Sequence, residues 1–200
     1  MNTFTVYEER LHHQKENEKV IFGFWLYLMS DCLLFASLFV TYMVLRGNTF
    51  GGPSGHDLFS LPFVLTETII LLTSSVTCGL AIAVMQRQNL RVVLGFLAGT
   101  FLLGTAFIAF EVNEFAKFIH ESAGPDRSGF LSAFFTLVGT HGLHVTGGLF
   151  WMLLLGIQLF QQGFTGVVTR RLFVFSLFWH FLDIVWIFIF SFVYLMGISM

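Results

Sequence analysis

Five apolar stretches alternate with short polar breaks along the chain, at 20–45, 61–85, 92–118, 130–160 and 172–198. A helix needs about 20 mainly apolar residues to cross about 30 Å of hydrocarbon, so each stretch predicts a transmembrane span. Several exceed that minimum, which predicts tilt or protrusion into the headgroup region. The first break carries Gly51, Gly52, Pro53, Ser54 and Gly55, a run that cannot hold a helix. Pro62 then suits a first helical turn, with Ser60 as its cap. The break at 86–91 is so short that the second and third spans must be antiparallel neighbours. Gly124-Pro125-Asp126-Arg127-Ser128-Gly129 reads as a turn that ends one helix and caps the next. The predicted fold is all-α, an integral membrane bundle of five transmembrane helices. It forms a single domain over 20–200 behind a polar tail at 1–19, without internal repeat or linker.

Composition agrees with lipid as the solvent. The chain is 56% hydrophobic and 11% charged, where an ordinary soluble domain carries about 25% charged residues. Cys32 and Cys78 both lie in apolar runs and read as small buried hydrophobes, neither a disulfide nor a metal pair. The tail mixes both charge signs and the following apolar run is too long for a signal peptide, so it reads as the first anchor. Arg10, Lys15, Lys19, Arg87, Arg91, Arg170 and Arg171 fall on one side of the predicted topology, and Arg46, Lys117 and Arg127 on the other. The richer side is expected to be cytoplasmic, which places the N-terminus inside and the C-terminus outside.

The spans also hold ionisable groups. Asp31 follows Ser30 within the first span, and Glu67 lies early in the second. Glu111 and Glu114 share a face near the end of the third, as do His141 and His144 in the fourth and His180 and Asp183 in the fifth. At mid-bilayer such a group costs at least about 2.5–3.5 kcal/mol on insertion scales, so these side chains are expected to face protein. Three readings are open on the residues alone. His141, His144 and His180 are of the type that binds transition metals or haem iron. Asp31, Glu67, Glu111 and Asp183 are of the type that carries protons or ions through membranes. All of them are equally suited to hydrogen bonding between helices, beside the glycines that permit close crossings. Those glycines are Gly139, Gly142, Gly147 and Gly148 in the fourth span, and Gly95 and Gly99 in the third. No phosphate loop, Cys-x-x-Cys, nucleophile elbow or nucleotide fingerprint is present.

Gly139-Thr-His-Gly-Leu-His-Val-Thr-Gly-Gly148, Trp179-His-Phe-Leu-Asp-Ile-Val-Trp186 and the Ser30-Asp31 step together resemble subunit III of the haem–copper respiratory oxidases. The resemblance covers nearly the whole chain. Phe22-Gly-Phe-Trp-Leu-Tyr-Leu-Met-Ser-Asp31 and Gly124-Pro-Asp-Arg-Ser-Gly-Phe-Leu-Ser-Ala-Phe-Phe135 look most like its cytochrome bo-type, ubiquinol-oxidising branch. Longer members have two further N-terminal helices, and usually Glu where this chain has Asp31. The resemblance implies a non-catalytic subunit of a proton-pumping terminal oxidase in the bacterial inner membrane. It implies no redox cofactor in this chain, with the haems and copper held by partner subunit I, and subunits II and IV as further partners. It also implies a bound phospholipid. Asp31, His141, His144, His180 and Asp183 match the family pattern as its polar interior or lipid cleft, which Glu67, Glu111 and Glu114 are expected to join. Arg46, Arg87, Arg91, Arg170 and Arg171 lie near span ends, where lipid phosphates are expected. A cytochrome c oxidase subunit III and a stand-alone proton or ion transporter are the alternatives.

Overall fold

A computed structural model describes residues 3–199, apart from the side chains of 3–17, Asp57 and Ser199. Arg10 and Lys15 of the basic count therefore have side chains outside the described set. Every regular element among the described residues is a helix: α1 Thr3–Leu45, α2 Gly55–Leu58, α3 Leu61–Met85, α4 Leu90–His120, α5 Gly129–Gln162 and α6 Gly166–Ile189. A π-helical segment, Phe190–Leu195, and α7, Met196–Ser199, complete it. Five stretches are long and apolar enough to cross a membrane: Glu18–Leu45, Leu61–Met85, Leu90–His120, Gly129–Gln162 and Gly166–Ile198. The fifth begins six residues before the expected start, and Arg170 and Arg171 stand in its first turns instead of in a loop. Thr165 caps that start by accepting from the Val168 amide at 3.3 Å, and Arg171 donates to Gln158 Oε1 at 2.8 Å.

The chain forms two compact units, Met1–Leu34 and Phe35–Met200. In the first, Asp31 is buried, and the Tyr27 hydroxyl one turn earlier donates to it. Cys32 is exposed whereas Cys78 is buried, so only Cys78 is the small buried hydrophobe.

In the second unit α3 packs along α4, α4 along α5, and α5 and α3 along α6. The end of α1 joins them through Phe35 against His144, Phe39 against Phe188 and Tyr42 against Phe130. The turn before α5 works as expected, with Ser128 Oγ accepting from the Leu131 amide at 3.2 Å. The carbonyl of Asn48, in the glycine-rich break, accepts from the Phe130 amide at 3.2 Å and so satisfies another free donor of that helix end. Ser60 stands at the cap position of α3 without a side-chain cap bond.

The glycines divide by what faces them. A Cβ at Gly104 would lie 2.9 Å from Leu149 Cδ2, and one at Gly148 would lie 3.0 Å from both Phe178 and Trp179. One at Gly142 would run into the Glu111 carboxyl, and Gly139 has ordinary clearance from Phe115. Gly95, Gly99 and Gly147 have nothing within 4 Å. The G-x-x-x-G of the third span therefore makes no close crossing among the described residues. It lies on the outer side of α4, which sequence spacing does not distinguish from the inner side.

Candidate functional site

The polar side chains of the spans collect on the inner stripe of α3. Its buried positions are Val64, Glu67, Thr68, Leu71, Ser74, Ser75, Cys78 and Ala81, the 3–4 spacing of one helix face. From this stripe three groups of contacts reach α4, α5 and the last span.

The first lies toward one end of the bundle. Glu67, Glu111 and Glu114 are all buried there. The Tyr194 hydroxyl donates to Glu114 Oε2 at 2.6 Å, while both oxygens of Glu67 and Oε2 of Glu111 lack a hydrogen-bond partner. Phe59 closes this end, its ring 4.8 Å from Tyr194 and 5.1 Å from Phe134. Tyr194 comes from the π-helical segment, a wide turn that recurs at functional positions in helices. Tyr194→Phe removes one buried bond, and a loss of about 1 kcal/mol is expected, in the range measured for hydrogen bonds between membrane helices. A double-mutant cycle with Glu114→Gln on detergent unfolding checks this. Additive losses would remove the assigned contact.

The second group centres on His141, which has no exposed surface. Its Nε2–H donates to the Leu182 carbonyl at 3.2 Å, leaving Nδ1 as a buried atom without a partner. The ring lies 5.2 Å from that of Trp186, which in turn meets Phe107 edge-on at 4.7 Å. Trp186 Nε1 donates to Thr68 Oγ1 at 3.1 Å. His144, half-buried, donates from Nδ1 to the Thr140 carbonyl at 2.8 Å.

In the third group Ser75 Oγ and His180 Nδ1 are 2.5 Å apart, and Asp183 Oδ2 is 3.9 Å from the same nitrogen. Trp179 Nε1 donates to Ser74 Oγ at 2.9 Å, and the hydroxyls of Thr77 and Thr100 meet at 2.8 Å.

His180 thus has its own partners, whereas His141 and His144 both meet the Phe35 ring. No group of three or more His, Cys, Asp or Glu side chains among the described residues is placed to hold a metal ion. Thr68, Ser74, Ser75, Thr77, Thr100 and Tyr194 were missed in the sequence reading. For Thr68, Ser74 and Ser75 the signal was available as hydroxyls at the 3–4 spacing of the Glu67 face.

The geometry shows a set of polar ties between helices. The family described as cytochrome c oxidase subunit III matches residues 6–198. The chain belongs to that family. It is 56% identical over 181 residues to the cytochrome bo(3) ubiquinol oxidase subunit 3 of Pseudomonas putida, covering 90% of this chain and 87% of the relative. The quinol oxidase subunit 3 of Bacillus spizizenii is 45% identical over 190 residues, 94% of this chain and 93% of its own length. The cytochrome c oxidase subunit 3 of Bacillus sp. strain PS3 is also 45% identical, over 182 residues, 91% and 88% of the two chains. This subunit III family member is a multi-pass protein of the bacterial inner membrane.

Proposed function

We propose that the chain is the non-catalytic subunit III of a proton-pumping ubiquinol oxidase. It packs against the haem- and copper-bearing subunit I, assembles with subunits II and IV, and binds phospholipid. The observation that carries this is the 56% identity to a ubiquinol oxidase subunit 3 across nine-tenths of the chain. Buried ties such as Trp186–Thr68, Trp179–Ser74 and Tyr194–Glu114 suit a rigid supporting part. Asp31, Glu67, Glu111, His141, His144, His180 and Asp183 serve as polar interior, and arginines at span ends hold lipid phosphates. The basic count supports a cytoplasmic N-terminus.

Native mass spectrometry of the detergent-purified assembly tests the proposal. The chain is expected to elute with a large haem-bearing subunit and retained lipid, and to be colourless once separated. A stable, coloured monomer overturns it. The 45% identity to a cytochrome c oxidase subunit 3 favours a second reading, in which cytochrome c is the donor. A copper-binding soluble domain on the accompanying subunit II would establish that reading. Its absence supports quinol.

A further inference from the structure

His180, on the α3–α6 seam, faces two ways. Its Nδ1 points inward, to Ser75 Oγ at 2.5 Å and Asp183 Oδ2 at 3.9 Å. Yet 41% of its side chain is exposed, against 8% for Asp183. Nε2, on the far edge of the ring, has no partner among the described residues. Gly79 keeps that edge bare. A Cβ there would lie 3.8 Å from both Cε1 and Nε2, and a long side chain would cover them.

Depth decides what can answer this nitrogen. Within the span Gly166–Ile198, His180 lies about 21 Å along the helix from one end and about 27 Å from the other. Half the hydrocarbon thickness is about 15 Å, so the ring sits near mid-bilayer. Its partner Ser75 is likewise near the middle of Leu61–Met85. Lipid headgroups do not reach this depth, acyl tails carry no donor or acceptor, and the hydrocarbon holds no water. A second protein helix does reach it. Leu72, one turn before Ser75, and Ile184, one turn after His180, are exposed on the same seam and offer such a helix apolar contact.

We propose, on the reading of the chain as a subunit of a larger complex, that the outer side of the α3–α6 seam receives a transmembrane helix of an accompanying subunit. That helix sets a hydroxyl or amide side chain at mid-span against His180 Nε2. Either group both donates and accepts, so it serves either ring tautomer. One polar contact in an otherwise apolar seam also fixes the register of the two helices.

The test puts the photoreactive residue benzoylphenylalanine in place of Ile184, in the assembled complex in its native membrane, and maps the links by mass spectrometry. A link to one helix of another subunit is expected, with Ser, Thr, Tyr, Asn or Gln at the depth of His180. Links to lipid only, to a second copy of this chain or within the same chain overturn the proposal, as does a linked helix without such a residue. His180→Leu and Gly79→Leu should each release that subunit about fivefold more readily on detergent titration. His180→Gln should retain most of it, and Ser75→Ala, which removes only the inner bond, should release no more than the unaltered protein. Equal release by Ser75→Ala and His180→Leu would make the role of His180 internal and overturn the proposal. Linking from position 184 keeps His180 intact, so it decides even if the leucine variants fail to assemble. A chain that purifies free of partners defeats the subunit reading itself, whereas an assembled complex linked only to lipid defeats this docking site alone.

Discussion

Truncating Trp186 to alanine is expected to lower the stability of the subunit by about 3–5 kcal/mol, as for large buried aromatics elsewhere. The ring has no exposed surface. It lies tilted against His141, meets Phe107 edge-on and ties α6 to α3 through Thr68. Lipid tails are as apolar as the interior, so helix association depends on close packing, and a cavity is the main loss. Trp186→Phe keeps most of the ring and loses the N–H, so its cost should be near 1 kcal/mol. Detergent-titrated unfolding should rank the two in that order. Equal losses would mean that the Thr68 bond, and not packing, dominates.

A second large effect is expected at Gly148. Valine there would press a Cβ to 3.0 Å from Phe178 and Trp179. Trp179 cannot yield easily, because it is itself buried and bonded to Ser74. Overpacking of this kind costs about 1–3 kcal/mol. Gly147→Val, one residue away on open surface, is the matched control and should be nearly neutral to unfolding. Similar thermal destabilisation of both variants would show helix propensity, not the crossing, to be responsible.

The contrast between Gly147 and Gly148 also shows how far the sequence could be read. Span number and most boundaries were legible, because a run of 20 or more apolar residues has few alternatives in any solvent. Which side of a span faces protein was not legible from apolar residues, since both sides are apolar. Gly95, Gly99 and Gly148 look alike in the chain, and only Gly148 meets another helix. Polar residues carried more information. Glu67 lies among the buried positions of α3, and Thr68, Ser74 and Ser75 follow on the same stripe. Their hydroxyls were overlooked because serine and threonine also satisfy themselves on the preceding turn, as Thr66 and Thr73 do here. The early start of α6 was missed because Arg170 and Arg171 read as a loop. A threonine cap and a glutamine partner keep them helical. Family resemblance supplied the biological role, which no periodicity contains.

The wide turn at Phe190–Leu195 carries a consequence for comparing relatives. Eight residues of unbroken α-helix would bring Tyr194 about 80° around from Trp186. The extra residue held by the π-helical turn takes up that offset. Both rings then point inward, 6.1 Å apart, and the phenol reaches Glu114. A one-residue gap in an alignment at this point therefore leaves the inner face unchanged. A relative carrying it would need no wide turn, since seven α-helical residues return to within about 20° of the start, and its tyrosine would still face inward toward the glutamate.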